Sequence, residues 1–287
     1  MTPEEHHEAV FLLGPWLVGC YIEIFLQGIL CCQFTTYLSW YRDDKPWLRY
    51  AVYMLILITT LKSIQSFALI WIMLIENFTD LSAAINLNYT TWWQSGSPLM
   101  VACIGFYVQM YFLYRLWMIS RKWWVVGPIL IVFVFAFVSI VIGTYYITTA
   151  YTAGISHWFA AHLSSVFAGD LSLTCTTAYF LIKSKKNVHP QTVGLINALV
   201  RLTFSTVLPG AICAMLNLIF SQIYLGTNKL ISEAFNQALP KLYAISMMWT
   251  LNARRSIRAT HGSSNNTGST SADHSGPRSR GTRRTAM

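Results

Sequence analysis

Glu23, Lys62, Asp170 and Lys241 stand within stretches of this 287-residue sequence that are otherwise almost wholly apolar. Two are acids and two are bases. Inside a membrane-spanning helix such groups cost roughly 2.5–3.5 kcal/mol each on insertion scales, so they face the bundle interior and usually pair. Gln27 lies one helical turn from Glu23 and Gln237 one turn from Lys241, and residues four apart share a helix face. These six form a candidate intramembrane polar cluster with two uses. Closed on itself, with Glu23 against Lys62 or Lys241 and Asp170 against the remaining base, the cluster fixes helix packing. Opened to a cavity, it binds a ligand or relays ions. Pro240, directly before Lys241, lacks a backbone donor and clashes with the carbonyl one turn earlier. That frees acceptors near Asn236 and offers a carbonyl, beside Glu23 or Asp170, to hold the Lys241 ammonium.

Other chemistries find little support. Zinc sites need clustered Cys, His and carboxylate ligands, yet His162 is the one histidine well inside an apolar stretch, and His6 and His7 sit near the amino terminus. Cys20, Cys31, Cys32, Cys103, Cys175 and Cys213 all fall in apolar stretches, where cysteine behaves as a small buried hydrophobe. No Gly-rich phosphate loop or nucleophile elbow occurs. A lysine in the last apolar stretch invites a Schiff base, but "SPLMVACIGFYVQMYFLYRLWMIS" carries no carboxylate to serve as counterion. No catalysis, cofactor, metal or nucleic-acid partner is expected.

The elements that must position the cluster follow from composition. Hydrophobic residues make up 54% of the chain and charged residues 11%, against about 25% charged in ordinary soluble domains. Seven continuous apolar runs are long enough to cross a bilayer, near residues 11–39, 47–75, 98–119, 125–148, 158–182, 196–224 and 233–250. They are continuous where a barrel would alternate. The expected fold is all-α, a polytopic bundle of seven transmembrane helices. Residues 1–10 read as a short extracellular arm, 11–258 as the transmembrane domain and 259–287 as a disordered basic cytoplasmic tail, too polar to fold. Ser256 after "ARR", just before the tail, and Thr285 after "TRR" within it suit a basophilic kinase, whereas the simpler role of the tail is attraction to anionic lipid.

Orientation follows from positive charge. An outside amino terminus and a cytoplasmic carboxyl terminus put Arg42, Lys45, Arg49, Arg115, Arg121, Lys122, Lys183, Lys185, Lys186, Arg254, Arg255 and Arg258 on the inner side, with Lys229 outside. Two sequons, at Asn77 and Asn88, then fall in the longest outer loop, and Asn88 is the better acceptor because Asn77 lies close to the membrane. A third, at Asn265, falls in the tail and stays bare.

Several segments resemble a family of seven-helix membrane proteins of mushroom-forming fungi that bear a domain of unknown function. They are "LGPWLVGCYIEIFLQGILCCQFTTYL" (Leu13 to Leu38), "FLYRLWMISRKWW" (Phe112 to Trp124), Asp170 before "LSLTCTTAYFLIKSKK", and "LPKLYAISMMWTLNARRSIR" (Leu239 to Arg258). The last is the most specific, because the closing helix of the family reads Lys-Leu-Tyr followed by an LNxR end. One element departs: relatives carry Asp-Thr-x-His in the second helix where this chain has Thr59, Thr60, Leu61 and Lys62. The resemblance implies the seven-helix topology and no assigned activity.

Two function classes remain. A receptor-like protein with an unidentified small-molecule ligand and a cytoplasmic signalling partner is supported by seven helices, an outside amino terminus, and Arg115 and Tyr243 as a candidate cytoplasmic helix-end switch. A small-solute or proton-coupled transporter is supported by intramembrane carboxylates and by helix breaks at Pro209-Gly210 and Pro240, although no internal repeat is visible. The lipid bilayer is the shared partner, in the plasma membrane or, failing that, an endomembrane.

Overall fold

The computed structural model describes residues 3–77, 83, 91–149, 151–185, 208–223 and 230–262. Among the described residues the chain is helical and contains no strand. The helices are α1 (Pro3–Trp40), α2 (Pro46–Trp71, continued by a π-helical turn at Ile72–Glu76), α3 (Ser97–Ser120), α4 (Trp123–Thr148), α5 (Thr152–Lys185), α6 (Leu208–Ile223) and α7 (Ile231–Gly262). A single turn, Trp92–Ser95, precedes α3. Helices α1 to α5 are long and apolar enough to cross a bilayer, and α6 is a shorter apolar helix over its described length. The chain is therefore a helical membrane protein.

Local sequence explains the boundaries. Proline opens α2 and stands in the first turn of α3, where a missing N–H costs nothing. Between α3 and α4 only two residues intervene. Arg121 closes α3 in the left-handed region (φ 53°), its N–H donating to the Trp117 carbonyl at 2.8 Å and its guanidinium lying over the Trp117 ring. The residues read as an amino-terminal arm continue α1 from Pro3 onward. Proline suits a first turn, Glu4 and Glu5 favour a helix start, and no breaker follows before the apolar run. At the other end α7 runs past Arg258 to Gly262. Asn88, residues 196–207 of the sixth run and 263–287 of the tail lie outside the described residues.

The distribution of side chains inverts that of a water-soluble domain. Glu23, Lys62 and Lys241 are 0% exposed, while Phe25 is 70% and Ile131 69% exposed. Such a surface is stable only against hydrocarbon. Inside, Leu30, Phe34, Val52, Leu55, Val108 and Met247 join α1, α2, α3 and α7 into one core, and Leu116, Phe133 and Leu173 join α3, α4 and α5 into a second. Helix α1 packs most extensively on α7, and α4 on α5. Glycine sets both contacts: a Cβ on Gly19 would stand 2.9 Å from the Ala234 Cα, and one on Gly169 2.5 Å from the Phe133 ring. Small residues at helix contacts are how membrane bundles gain dispersion contact. The cysteines depart from expectation. Cys20 and Cys213 are buried, but Cys31, Cys32, Cys103 and Cys175 are exposed on outer helix faces, which in a bilayer meet apolar lipid.

Candidate functional site

The Lys241 ammonium sits among α1, α2 and α7. It lies 2.9 Å from Glu23 Oε1, and it donates to Gln27 Oε1 at 2.7 Å, to the Thr59 carbonyl at 2.5 Å and to Ser63 Oγ at 2.9 Å. Ser63 in turn donates to Glu23 Oε1 at 2.9 Å. Three N–H bonds thus meet four acceptors, and the charge is both paired and solvated by protein. The carbonyl that helps belongs to Thr59 on α2, not to the proline-freed turn of α7 near Asn236. Glu23 Oε2 is buried and, among the described residues, has no hydrogen-bond partner.

Lys62 occupies a neighbouring position, equally buried but without a carboxylate in contact among the described residues. Its ammonium donates to Ser66 Oγ at 2.9 Å, Ser97 Oγ at 3.2 Å and Gln237 Oε1 at 2.9 Å. The Gln237 amide passes the interaction on, donating from Nε2 to Glu233 Oε1 at 3.0 Å. Glu233, Gln237 and Lys241 follow one another at four-residue spacing along α7, and Thr59, Lys62, Ser63 and Ser66 at three- and four-residue spacing along α2. Five of the six expected cluster residues therefore meet: Glu23, Gln27, Lys62, Gln237 and Lys241. The second acid is Glu233.

Asp170 stands apart, and its expected pairing with a lysine is corrected. On α5 it accepts from Gln109 Nε2 of α3 at 3.0 Å and from the Tyr243 hydroxyl of α7. Both donors are neutral. Tyr243, expected with Arg115 at a helix-end switch, is 7% exposed and committed to Asp170. Arg115 lies on α3 six residues beyond Gln109, about 9 Å along the axis. Its Nη1 is buried and has no acceptor among the described residues. Asn77 closes the π-helical turn, its side-chain amide donating to the Ile72 carbonyl at 2.9 Å.

A cavity of about 30 Å³ lies beside the Asp170 contact, bounded by Gln109 of α3, Phe133 of α4, His162 of α5 and Asn236, Pro240 and Tyr243 of α7. That is room for one or two waters. Neither lysine lines it, so the charged cluster is closed while the cavity belongs to the opposite face of α7. His162 is fixed there by a 2.8 Å contact between Nδ1 and the Ala136 carbonyl.

At the end of the bundle carrying the α1–α2 turn, Arg254 of α7 bonds Asp44 through Nη2 and Oδ2 at 2.5 Å, and Tyr37 donates to the same oxygen at 3.0 Å. The Arg254 guanidinium also lies 4.9 Å from the Tyr41 ring centre. Burial alone would lower the Arg254 pKa, but hydrogen bonding and charge contact with Asp44 outweigh it and leave the pKa raised. Asn252 adds a bond from Nδ2 to the Gln33 carbonyl at 3.0 Å. The "LNAR" end of α7 is thus the segment that docks on α1 and its turn.

Glu233, Gln109, Thr59, Ser63, Ser66 and Ser97 were not singled out from the sequence as cluster members. Gln109 is the lone amide within the third apolar run, and the hydroxyls of "TTLKSIQS" repeat on one helix face, so both carried a readable signal. Among the described residues no group of histidine, cysteine and carboxylate is placed to hold a metal.

Residues 166–256 match the family model described as a family of unknown function (DUF6534). The match covers less than half of the chain, from α5 through α7, and so includes Asp170, Gln237, Lys241, Tyr243 and Arg254. Among curated proteins and among solved structures, none matches the chain.

Proposed function

We propose that the chain is a receptor-type protein with seven crossings, its amino terminus outside and its tail in the cytoplasm. In this reading it belongs with the fungal seven-helix proteins it resembles, sits in the plasma membrane, takes a small-molecule ligand and engages a signalling partner at the inner face. No catalytic step is part of the proposal.

One observation carries it: α7 is fastened on two faces by separate buried polar contacts. Gln237 and Lys241 hold it to α1, α2 and α3, and Tyr243 holds it to α5 beside the small cavity. Residues two apart point about 200° apart on a helix, so the contacts oppose one another across a proline-interrupted helix. A ligand that binds in place of one of these contacts shifts α7 toward the other. The closed charged cluster supports the same reading, because a carrier needs a loading site reached alternately from each side. A second reading, proton-coupled transport, is favoured by the buried Glu23 Oε2, which among the described residues has no hydrogen-bond partner.

The two separate in sealed vesicles containing the full chain and an internal pH indicator. Across a panel of sugars, amino acids and carboxylates, no flux above protein-free vesicles is expected. A solute-driven proton flux that Glu23→Gln abolishes would overturn the receptor reading. Orientation is checked independently by a reporter fused after Met287, expected in the cytosol; a reporter on the outer side would reverse it.

A further inference from the structure

The α1–α2 turn leaves a groove of about 460 Å³ lined by Tyr37, Leu38, Tyr41, Arg42, Arg49 and Tyr53. Its depth relative to the bilayer is set by its walls. Leu38 and Tyr53 lie within the apolar spans Ala9–Trp40 and Pro46–Glu76, whereas Arg42 lies in the turn between them. Around it, Trp40, Trp47 and Tyr50 are exposed, the aromatic residues expected at a membrane–water boundary. The groove therefore runs from the polar boundary into the hydrocarbon.

Its donors are arranged for an anion. Arg49 is held across the groove by bonds from Nη1 to the Arg42 carbonyl at 3.1 Å and from Nη2 to the Tyr53 hydroxyl at 3.5 Å. Those bonds use two of five guanidinium N–H groups and fix the direction of the rest. Arg42 is exposed, and its guanidinium has no acceptor among the described residues. Tyr53 accepts from Arg49 and keeps its own proton to donate. Tyr37 and Tyr41 are committed to Asp44 and to the Asn252 carbonyl, and their stacked rings form a wall. The neighbouring acids do not cancel this charge, since Asp44 is taken by Arg254 and Tyr37, and Arg42, Lys45 and Arg49 together outnumber Asp43. Guanidinium forks match phosphate oxygens in geometry as well as charge.

We infer that this groove binds the phosphate-bearing headgroup of an anionic phospholipid, with the phosphate between Arg42 and Arg49 and the acyl chains along Leu38 and Tyr53. Because Tyr37 and Tyr41 also contact the α7 docking residues, the lipid sits against the segment that fastens α7. A lipid rather than a free anion is the occupant because one end of the groove lies within the apolar spans.

The test uses the full chain purified in mild detergent, mixed with phosphatidylcholine and a phosphatidylinositol phosphate, and read by native mass spectrometry. The wild type is expected to retain the phosphoinositide in preference to phosphatidylcholine. Arg42→Gln alters an exposed side chain with no partner among the described residues, so the fold is kept. It should lower that preference by roughly fivefold, as loss of one interfacial cation implies. Arg42→Gln combined with Arg49→Gln should remove the preference while phosphatidylcholine retention stays the same. Equal preference in wild type and Arg42→Gln would overturn the proposal. So would displacement of the phosphoinositide by an equal concentration of inorganic phosphate, which marks a free-anion site.

Discussion

Lys241→Met is expected to lose about 3–5 kcal/mol of stability, seen as a large fall in folded yield and in the melting temperature of the detergent-solubilised protein. The substitution roughly preserves length and apolar volume, so the loss arises from charge rather than from a hole. In the wild type the ammonium compensates Glu23 and fills the acceptor capacity of Gln27, Ser63 and the Thr59 carbonyl. Methionine leaves Glu23 with one donor, Ser63, and no counter-charge in contact, at a position 0% exposed. Adding Glu23→Gln should recover most of the lost stability, because a neutral amide no longer demands a cation. Equal stability of wild type and Lys241→Met, or a double variant no better than the single one, would show that the pair does not hold α7.

Tyr243→Phe is expected to cost about 1.5–3 kcal/mol, the range for losing a hydrogen bond to a charged group. Nothing else in the ring changes, and the ring keeps its place beside Gly105, where an added Cβ would stand 3.7 Å from it. Asp170 Oδ2 then loses its donor in a site only 4% exposed, leaving Gln109 on the other oxygen. Asp170→Asn in the Tyr243→Phe background should restore part of the stability, since it removes the charge whose Oδ2 has lost its donor. Thermal melts of the three proteins check this. A Tyr243→Phe protein as stable as wild type would mean that the hydroxyl does not fasten α7 to α5.

Much of this arrangement was legible in the sequence, and what was not has identifiable physical reasons. The apolar runs of α1 to α5 were readable because a bilayer demands a continuous length that little else in a chain imitates. Lys241 and Glu23 were readable as partners because deep charges must be compensated. The choice of Asp170 as the second acid failed where pattern gives no help: which helices adjoin, and at what rotation. Asp170 faces α3 and α7 on the side away from Lys62, and the α5 sequence alone fixes neither fact. Glu233 escaped notice because it lies in the first turn of α7, where an acid ordinarily reads as a helix-start residue. Only the four-residue step from Glu233 through Gln237 to Lys241 connects it to the buried lysines. The cysteines were misjudged for a related reason: apolar runs identify a span but not its lipid-facing side.

The ion pair between Glu23 and Lys241 is the contact on which the account of α7 rests, and the charge state of Glu23 is its most direct measure. An infrared difference spectrum between the wild type and Glu23→Gln, recorded on the full chain in lipid at neutral pH, isolates that one side chain. An ion pair predicts that the band lost on substitution is the stretch of an ionised carboxylate. Loss of a protonated carboxylic-acid band from the wild type would contradict it, leaving Lys241 uncompensated by Glu23 and the fastening of α7 to α1 without its charge.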